Sequence, residues 1–156
     1  MLLNEAQELS ELLIANNLTI SVAESCTGGS LSRSLTNIPG ASSYFDCGYI
    51  TYSNQSKVEI LGVDIQTIKT YGAVSEQVAL EMVIGAATKS HSDVAVSITG
   101  VAGPTGGTPE KPVGMVCFGF SCDGKTSVST ELFSGDRANI VSQSVSYALR
   151  QLSVRF

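Results

Sequence analysis

Amphipathic helical segments and short apolar extended segments alternate along the first two-thirds of this sequence. Residues 1–16 carry leucines at the i, i+3, i+4 spacing of an amphipathic helix, and Leu18–Ala23 then has the composition of a short strand. Val94–Ile98 has almost no polar interruption, as expected for a central strand that helices cover on both faces. This alternation predicts an α/β protein.

The remaining elements follow from the same patterns and from their end signals. Asp64 and Ser75 are candidate N-caps of two helices, and Asp123-Gly124 favours a hairpin turn between two strands. We therefore predict a three-layer α/β/α sandwich with a mixed sheet. The further predicted strands are Cys47–Ser53, Val113–Ser121 and Thr126–Phe133. The further helices run from after a break at Gly28-Gly29 to Asn37, over Asn54–Leu61 and Ile65–Thr70, from Ser75 to about Lys89, and over about Asp136–Ser153.

Composition limits the classes of function. The 156 residues, 43% of them hydrophobic, predict one domain over residues 1–156. Nine Lys and Arg against 14 Asp and Glu give a net charge of −5, so nucleic acid is not an expected partner. A single His, scattered Cys and no clustered carboxylates make a metal site unexpected.

Compartment and membrane association are also constrained. No apolar stretch approaches the ~20 residues needed to cross a bilayer, and the N-terminus lacks the features of a signal peptide. The cysteines form no Cys-x-x-Cys pair, so we expect reduced thiols in a cytoplasmic protein without membrane contact. Oligomeric state is left open, with a homodimer or a higher homo-oligomer as one option. The cysteines are Cys26, Cys47, Cys117 and Cys122.

Three predicted strands end in polar or glycine-rich turns. These turns comprise Glu24–Gly29, Tyr52–Lys57 and Thr99–Gly107. In open α/β sheets, ligands bind outside the carboxyl ends of parallel strands. If the three strands are parallel, their turns meet in one crevice, where we place the candidate site.

Ser25 is a candidate nucleophile in the first of these turns. It would precede a helix N-terminus, where free N–H groups stabilise an oxyanion. The alternative is that Ser25 or Thr27 only caps the helix. The single histidine, His91, is predicted at the opposite edge of the sheet, which argues against a Ser-His-Asp triad.

Lys57 is then the candidate base, about one turn into the helix after Tyr52. A lysine acts as a base only when it is neutral, so burial or neighbouring positive charge must lower its pKa. The phenol of Tyr52 and the amine of Lys57 would face one site. The alternatives are that Lys57 is a solvated helix lysine and that Tyr52 is a packing aromatic at a strand end.

The loop from Thr99 to Gly114 contains five glycines, which let backbone amides approach an anion closely. It has no P-loop pattern. Lys111 and Arg137 could supply charge for a phosphate, and the helix start at Ser134–Arg137 adds free N–H groups. An ordinary surface loop is the alternative.

Together, these segments resemble the signature of the CinA C-terminal domain family, the nicotinamide-nucleotide amidases. The resemblance runs over nearly the whole chain, and in many family members this module is fused to a large N-terminal domain, whereas we expect a stand-alone module here. Several matched segments in order are more specific than any one of them. They are Glu24–Gly29, Thr51–Asn54 with Lys57, Tyr71–Glu76, Thr99–Pro104 through Lys111–Gly114, and Ser134–Arg137.

The resemblance implies an α/β/α sandwich that hydrolyses the carboxamide of nicotinamide mononucleotide to nicotinic acid mononucleotide and ammonia, with no metal or organic cofactor. It makes Ser25 the nucleophile and Lys57 its base, with Tyr52 nearby, and amides near Thr27 and Gly28 would hold the oxyanion. The implied substrate-binding residues are Thr27, Gly28, Gly29, Asn54, Gly100, Gly103, Thr105, Gly106 and Arg137.

Other interpretations stay open at this point. A thiol amidase would use Cys26 as its nucleophile. A non-catalytic nucleotide-binding module would separate Ser25 from Lys57 by well over ~4 Å. Glu24, or the net negative charge, is a minor candidate for favouring a cationic pyridinium ring.

Overall fold

The computed structural model describes residues 2–156, in which five strands form one mixed sheet. The strand order is β2-β1-β3-β4-β5, so β3 lies in the middle as predicted. Strands β2, β1 and β3 are parallel to one another, whereas β3, β4 and β5 are antiparallel. The strands are β1 (Ile20–Glu24), β2 (Phe45–Ile50), β3 (Val94–Gly100), β4 (Met115–Cys122) and β5 (Lys125–Leu132).

Six α-helices in the described part of the chain cover the two faces of the sheet. The first, second and sixth pack on one face, and the third, fourth and fifth pack on the other. This arrangement confirms the predicted three-layer sandwich. The helices are α1 (Leu2–Ala15), α2 (Ser30–Thr36), α3 (Asn54–Leu61), α4 (Ile65–Tyr71), α5 (Glu76–Ser90) and α6 (Arg137–Ser153).

The predicted N-caps are present. The side chain of Asp64 accepts a hydrogen bond from Gln66 N, and that of Ser75 accepts one from Val78 N. Each bond satisfies one of the free amides at a helix start. The capping side chains therefore begin α4 and α5 at the residues that the sequence indicates.

One predicted strand is displaced at both ends. The strand predicted at Cys47–Ser53 runs over Phe45–Ile50, because the chain leaves the sheet after Ile50 and Ser53 caps α3. The predicted break at Gly28-Gly29 is confirmed, since these residues have φ values of +59° and +106° and α2 begins directly after them at Ser30. Such values lie outside the right-handed helical region.

Each face of the sheet has its own apolar core. Phe118 and Val96 pack with Leu149 of α6 on one face, and Ala95 packs with Met82 of α5 on the other. Burying a Val, Leu, Phe or Met side chain fully contributes about 1.5–3 kcal/mol relative to leaving it exposed. No helix in residues 2–156 has the length and apolar character needed to cross a membrane.

The parallel arrangement of β1, β2 and β3 determines where the candidate residues lie. Their carboxyl ends meet at one edge of the sheet, so the turns that follow Glu24, Ile50 and Gly100 are neighbours there. His91 is exposed and ends α5 just before β3 begins, at the opposite edge. The predicted separation of the histidine from Ser25 is therefore confirmed.

Candidate active site

A cleft of about 290 Å³ opens at the carboxyl ends of the parallel strands. All three predicted turns contribute to its walls, together with the start of α6. Nine of the twelve predicted site residues line it: Ser25, Tyr52, Asn54, Lys57, Gly100, Gly103, Thr105, Gly106 and Arg137.

Ser25 follows β1 directly and is 8% exposed. Its amide donates to Ile98 O at 2.9 Å, and the preceding carbonyl of Glu24 accepts from Thr51 N at 2.9 Å. These two bonds fix the backbone on both sides of the Glu24–Ser25 peptide bond. The hydroxyl of Ser25 therefore leaves a firmly held strand end.

Lys57 is the direct neighbour of this hydroxyl. Its Nζ lies 2.9 Å from Ser25 Oγ, and it donates to Thr51 O at 2.9 Å and to Tyr52 O at 3.3 Å. In a neutral amine, the two N–H bonds would serve these carbonyls and the lone pair would accept from the serine hydroxyl. The geometry suits a nucleophile and its general base.

The electrostatics of Lys57 follow from its burial. The residue is 1% exposed, and loss of water around the amine lowers its pKa, with the nearby Cys26 acting more weakly in the opposite direction. Desolvation disfavours the charged form of any amine. The prediction that burial favours a neutral lysine here is therefore supported.

The helix that carries Lys57 explains how a lysine reaches the interior. Ser53 caps α3 through a bond from Ser56 N, and the buried residues of α3 are Lys57 and Leu61, four positions apart. Residues at this spacing share one face of a helix. Lys57 thus occupies an inward-facing position that an apolar residue would ordinarily take.

Tyr52 meets the lysine through its backbone and not through its phenol. The residue is 57% exposed, and its hydroxyl accepts a hydrogen bond from Arg137 Nη2 at 2.8 Å. The other guanidinium nitrogen, Nη1, donates to Gly103 O at 2.8 Å. Arg137 therefore links the turn after β2 to the glycine-rich loop across the mouth of the cleft.

Thr27, Gly28 and Gly29 do not line the cleft. The hydroxyl of Thr27 donates to Glu24 Oε1 at 2.7 Å, and Gly28 N donates to Ser25 O at 3.1 Å. The amides of Cys26 and Thr27 have no hydrogen-bond partner within residues 2–156. Of the two amides that were expected to face an oxyanion, only that of Thr27 is free.

Glu24 has a place that the sequence did not indicate. Its carboxylate is fully buried and accepts hydrogen bonds from Thr27, Leu31 and Ser32 instead of facing the cleft. Glu24 therefore has no direct contact with a ring bound in the cleft, and its suggested charge effect on a cationic ring stays a prediction. The only sequence signal for this buried, hydrogen-bonded position is that Glu24 is a charged residue between an apolar strand and a turn.

Glycines of the loop after β3 serve protein packing as well as the cleft. A Cβ on Gly100 would lie 2.8 Å from Val116 Cγ2, and one on Gly103 would lie 2.5 Å from Val113 Cγ1. Lys111 is directed away, because its Nζ donates to Tyr71 O. The cationic side chain at the cleft mouth is that of Arg137.

Sequence reasoning also missed part of the wall. Ala73 and Val74, which precede α5, line the cleft on the side opposite α6. Thr99 Oγ1 donates to Ala73 O at 2.8 Å and holds this segment against β3. Small apolar residues in a connection carry no chemical signal of their own, and their only signal is that Tyr71–Glu76 is one of the segments that carry the family resemblance.

Cys26 lines the cleft next to Ser25, and its thiol is buried. Burial raises the pKa of this thiol from 9.0 to about 12. The thiolate is the reactive form of cysteine, and at neutral pH almost none of it is present. The chemistry of the site therefore favours the hydroxyl of Ser25 over the neighbouring sulfur.

Comparison with known proteins agrees with this arrangement. A family model described as the CinA C-terminal domain matches residues 3–156. The nicotinamide-nucleotide amidohydrolase PncC of Escherichia coli K12 is 44% identical over 156 residues, which cover 99% of this chain and 94% of that protein. A crystal structure of a competence-damaged protein (CinA) superfamily protein from Escherichia coli superimposes with a TM-score of 0.97 at 36% identity, covering 100% of this chain and 91% of that one.

Longer relatives contain a similar segment. A competence-damage inducible protein of Clostridioides difficile is 50% identical over 147 residues, which cover 94% of this chain and 35% of that protein. A relative from Alkaliphilus oremlandii shows the same relation, with 34% of its length covered. The chain thus spans about a third of the length of these two relatives.

Proposed function

The chain belongs to the CinA C-terminal domain family, and we propose that it is an amidase that hydrolyses nicotinamide mononucleotide to nicotinic acid mononucleotide and ammonia. The observation that carries the proposal is the 2.9 Å separation of Lys57 Nζ from Ser25 Oγ inside the cleft. The similarity to PncC, a nicotinamide-nucleotide amidohydrolase, supports the substrate.

In the proposed first half-reaction, Ser25 Oγ attacks the carboxamide carbon while neutral Lys57 accepts the hydroxyl proton. The C–N bond then breaks, and Lys57 returns a proton to the departing ammonia. Water attacks the resulting acyl-enzyme while Lys57 accepts a proton from it; the bond from Ser25 Oγ to the acyl carbon then breaks, Lys57 returns the proton to Ser25 Oγ, and the acid leaves. Since the lysine is neutral before and after each half-reaction, the proton balance closes.

The turn after β1 supplies the donors for the oxyanion in this scheme. Three amides in that turn make no bond to any of residues 2–156, those of Cys26, Thr27 and Gly29, and the first two are next to the nucleophile in the chain. Preorganised N–H donors of this kind stabilise the charge that develops in the transition state. The Gly28 amide is committed to Ser25 O and is not assigned this role.

Arg137 is the proposed phosphate contact. Its guanidinium lies at the cleft mouth between Tyr52 and Gly103, and two of its nitrogens already donate to oxygen acceptors. A guanidinium binds phosphate oxygens with the same forked geometry. Asn54, Thr105 and Gly106 complete the proposed ribose and phosphate contacts at the rim.

Neither of the other interpretations accounts for the site as well. A thiol amidase needs a thiolate, and burial raises the pKa of Cys26 to about 12. A binding module has no use for a buried lysine against a serine hydroxyl, since burying an amine costs free energy. We therefore keep Ser25 as the nucleophile.

The test measures ammonia release from nicotinamide mononucleotide by the purified protein. Ser25→Ala and Lys57→Ala should each lower kcat by several orders of magnitude while the melting temperature shows a folded protein. The exposed residues Ser142 and Lys69 provide matched controls, and Ser142→Ala and Lys69→Ala should keep wild-type turnover. Turnover retained in either active-site variant would remove that residue from its assigned role.

A further inference from the structure

A buried carboxylate lies directly before the proposed nucleophile. Glu24 is the last residue of β1 and is 0% exposed. Its backbone is held between the neighbouring strands, since its carbonyl accepts from Thr51 N and the next amide donates to Ile98 O. The side chain therefore projects from a fixed point at the start of the Ser25 turn.

Both oxygens of this carboxylate reach over the turn to the start of α2. Oε1 accepts from Thr27 Oγ1 at 2.7 Å and from Leu31 N at 2.9 Å, and Oε2 accepts from Ser32 N at 2.9 Å and from Ser32 Oγ at 2.7 Å. Hydrogen bonds to an ionised group are about twice as strong as neutral ones. One side chain thus ties the strand end, the turn and the helix together.

The turn needs such a restraint from outside. Gly28 and Gly29 have positive φ values, and α2 begins without any cap from Gly29, the residue that precedes it. Glycines leave a backbone free to adopt other conformations. The bonds within the turn, from Gly28 N to Ser25 O at 3.1 Å and from Ser30 N to Thr27 O at 3.0 Å, do not involve the amides of Cys26 and Thr27, so the carboxylate adds a restraint that these bonds do not supply.

We propose that Glu24 is a positioning residue: by binding Thr27, Leu31 and Ser32, its buried carboxylate holds the Ser25 turn so that the hydroxyl meets Lys57 and the oxyanion amides stay free. The inference rests on the hydrolysis proposed above. Glu24 does not line the cleft, so it acts through the turn and touches no reacting atom.

Glu24→Gln tests this role with nearly the same shape. The carboxamide of glutamine keeps one oxygen that accepts hydrogen bonds. Its NH₂ group takes the place of the other carboxylate oxygen, and this group donates and cannot accept. The hydroxyl of Thr27 or Ser32 can rotate to accept from it, but one backbone N–H, of Leu31 or of Ser32, is left facing a donor. The turn should shift while the rest of the sheet stays in place.

A fluorophosphonate reads out the site independently of the nucleotide. Ser25 Oγ forms a bond to phosphorus, the P–F bond breaks, fluoride leaves, and Lys57 takes the hydroxyl proton. With the reagent in excess, the rate constant of labelling measures the reactivity of Ser25. The final labelled fraction (the end point), measured by intact mass, counts the molecules whose Ser25 can react. A merely structural loss of folded protein lowers the end point alone.

Glu24→Gln should reach the same labelling end point as wild type, with a labelling rate constant about 10- to 100-fold lower. Its kcat per labelled site should fall by a similar factor, and its KM should stay within about twofold of the wild-type value. Glu5→Gln is the matched control, because Glu5 on α1 is also largely buried and accepts from Ser146. That variant should behave as wild type. An unchanged rate constant and kcat in Glu24→Gln, or a reduced end point alone, would overturn the positioning role.

Milder variants keep the test decisive if Glu24→Gln does not fold. Thr27→Val and Ser32→Ala each remove one bond to the carboxylate, and each should slow labelling by a smaller factor; wild-type rates in both would overturn the proposal. If wild type is labelled at Ser25 but releases no ammonia, only the proposed nucleotide substrate is refuted. The role of Glu24 is then still tested by comparing the labelling rate constants of wild type and Glu24→Gln. No labelling of wild type would refute the Ser25 mechanism and the positioning role together.

Discussion

Replacing Lys57 by methionine should make the stability difference from wild type depend on pH, while it removes the proposed base. Methionine has a similar length and no charge. In the folded protein, burial lowers the pKa of the Lys57 amine below its ordinary value of 10.5. In the unfolded chain the amine has its ordinary pKa. At any pH between the two values, folding must remove a proton from this lysine, and that step costs free energy which the variant does not incur.

Proton linkage gives the size and the sign of the effect. In this window the unfolded state binds one more proton than the folded state, so the free energy of unfolding of the wild type rises by about 1.4 kcal/mol per pH unit. The advantage of Lys57→Met should therefore shrink by the same amount per unit as the pH rises. Carbonyls of Thr51 and Tyr52 left without a donor cost about 1–3 kcal/mol each. That penalty is independent of pH and leaves the slope unchanged.

Urea unfolding of both proteins over a series of pH values measures the slope. Lys69→Met, at an exposed position of α4, is the control and should show a constant difference from wild type. The pH profile of kcat/KM tests the same pKa of Lys57 by kinetics. Because the base must be neutral, the rate should fall as the pH drops through the same folded-state pKa. A stability difference that stays flat with pH would refute a neutral Lys57.

Three further outcomes test other parts of the structure. Cys26→Ser should keep most of the activity, and a thiol-alkylating reagent should not inhibit, because a thiol with a pKa of about 12 is almost wholly protonated; inhibition through Cys26 would contradict this. Arg137→Ala should raise KM for nicotinamide mononucleotide at least tenfold, as expected for a lost charged hydrogen bond of about 1.5–3 kcal/mol, with Tyr52→Phe much milder in a steady-state assay; an unchanged KM in Arg137→Ala would exclude the phosphate contact. Gly85→Ala should lower the free energy of unfolding by about 1–3 kcal/mol, since the added Cβ would lie 2.0 Å from Leu61 O, and urea unfolding like that of wild type would contradict this close packing.

The order and type of the elements were readable from the sequence because local signals specify them. Side-chain caps at Asp64 and Ser75 and the turn at Asp123-Gly124 act within a few residues. The strand boundary that failed depends on tertiary structure. The end of β2 is set by where β1 stops pairing with it, and nothing in the pattern of Cys47–Ser53 encodes that partner.

The candidate site was predictable to the extent that strand topology decides it. Parallel strands bring Ser25 and Lys57 to one edge, and their types suggest a nucleophile and a base. The directions of individual side chains were not predictable, since they depend on partners distant in sequence. Tyr52 binds Arg137 instead of lining up its phenol with the lysine, and Glu24 turns back to α2 instead of facing a ligand.

The same convergence of strand ends explains why a lysine can stay buried here at all. Its three Nζ partners are the hydroxyl of Ser25, which leaves β1, and the carbonyls of Thr51 and Tyr52, which follow β2. The two carbonyls lie beside α3 because they directly precede it in the chain, whereas the Ser25 hydroxyl lies there because β1 and β2 are parallel neighbours. A buried amine without acceptors is strongly disfavoured, and the carbonyl groups accept from a neutral amine as well as from a charged one. The pairing of the two strands thus sets the distance from Lys57 to the hydroxyl, so a change that loosens β2 from β1 should reduce catalysis before it unfolds the sheet.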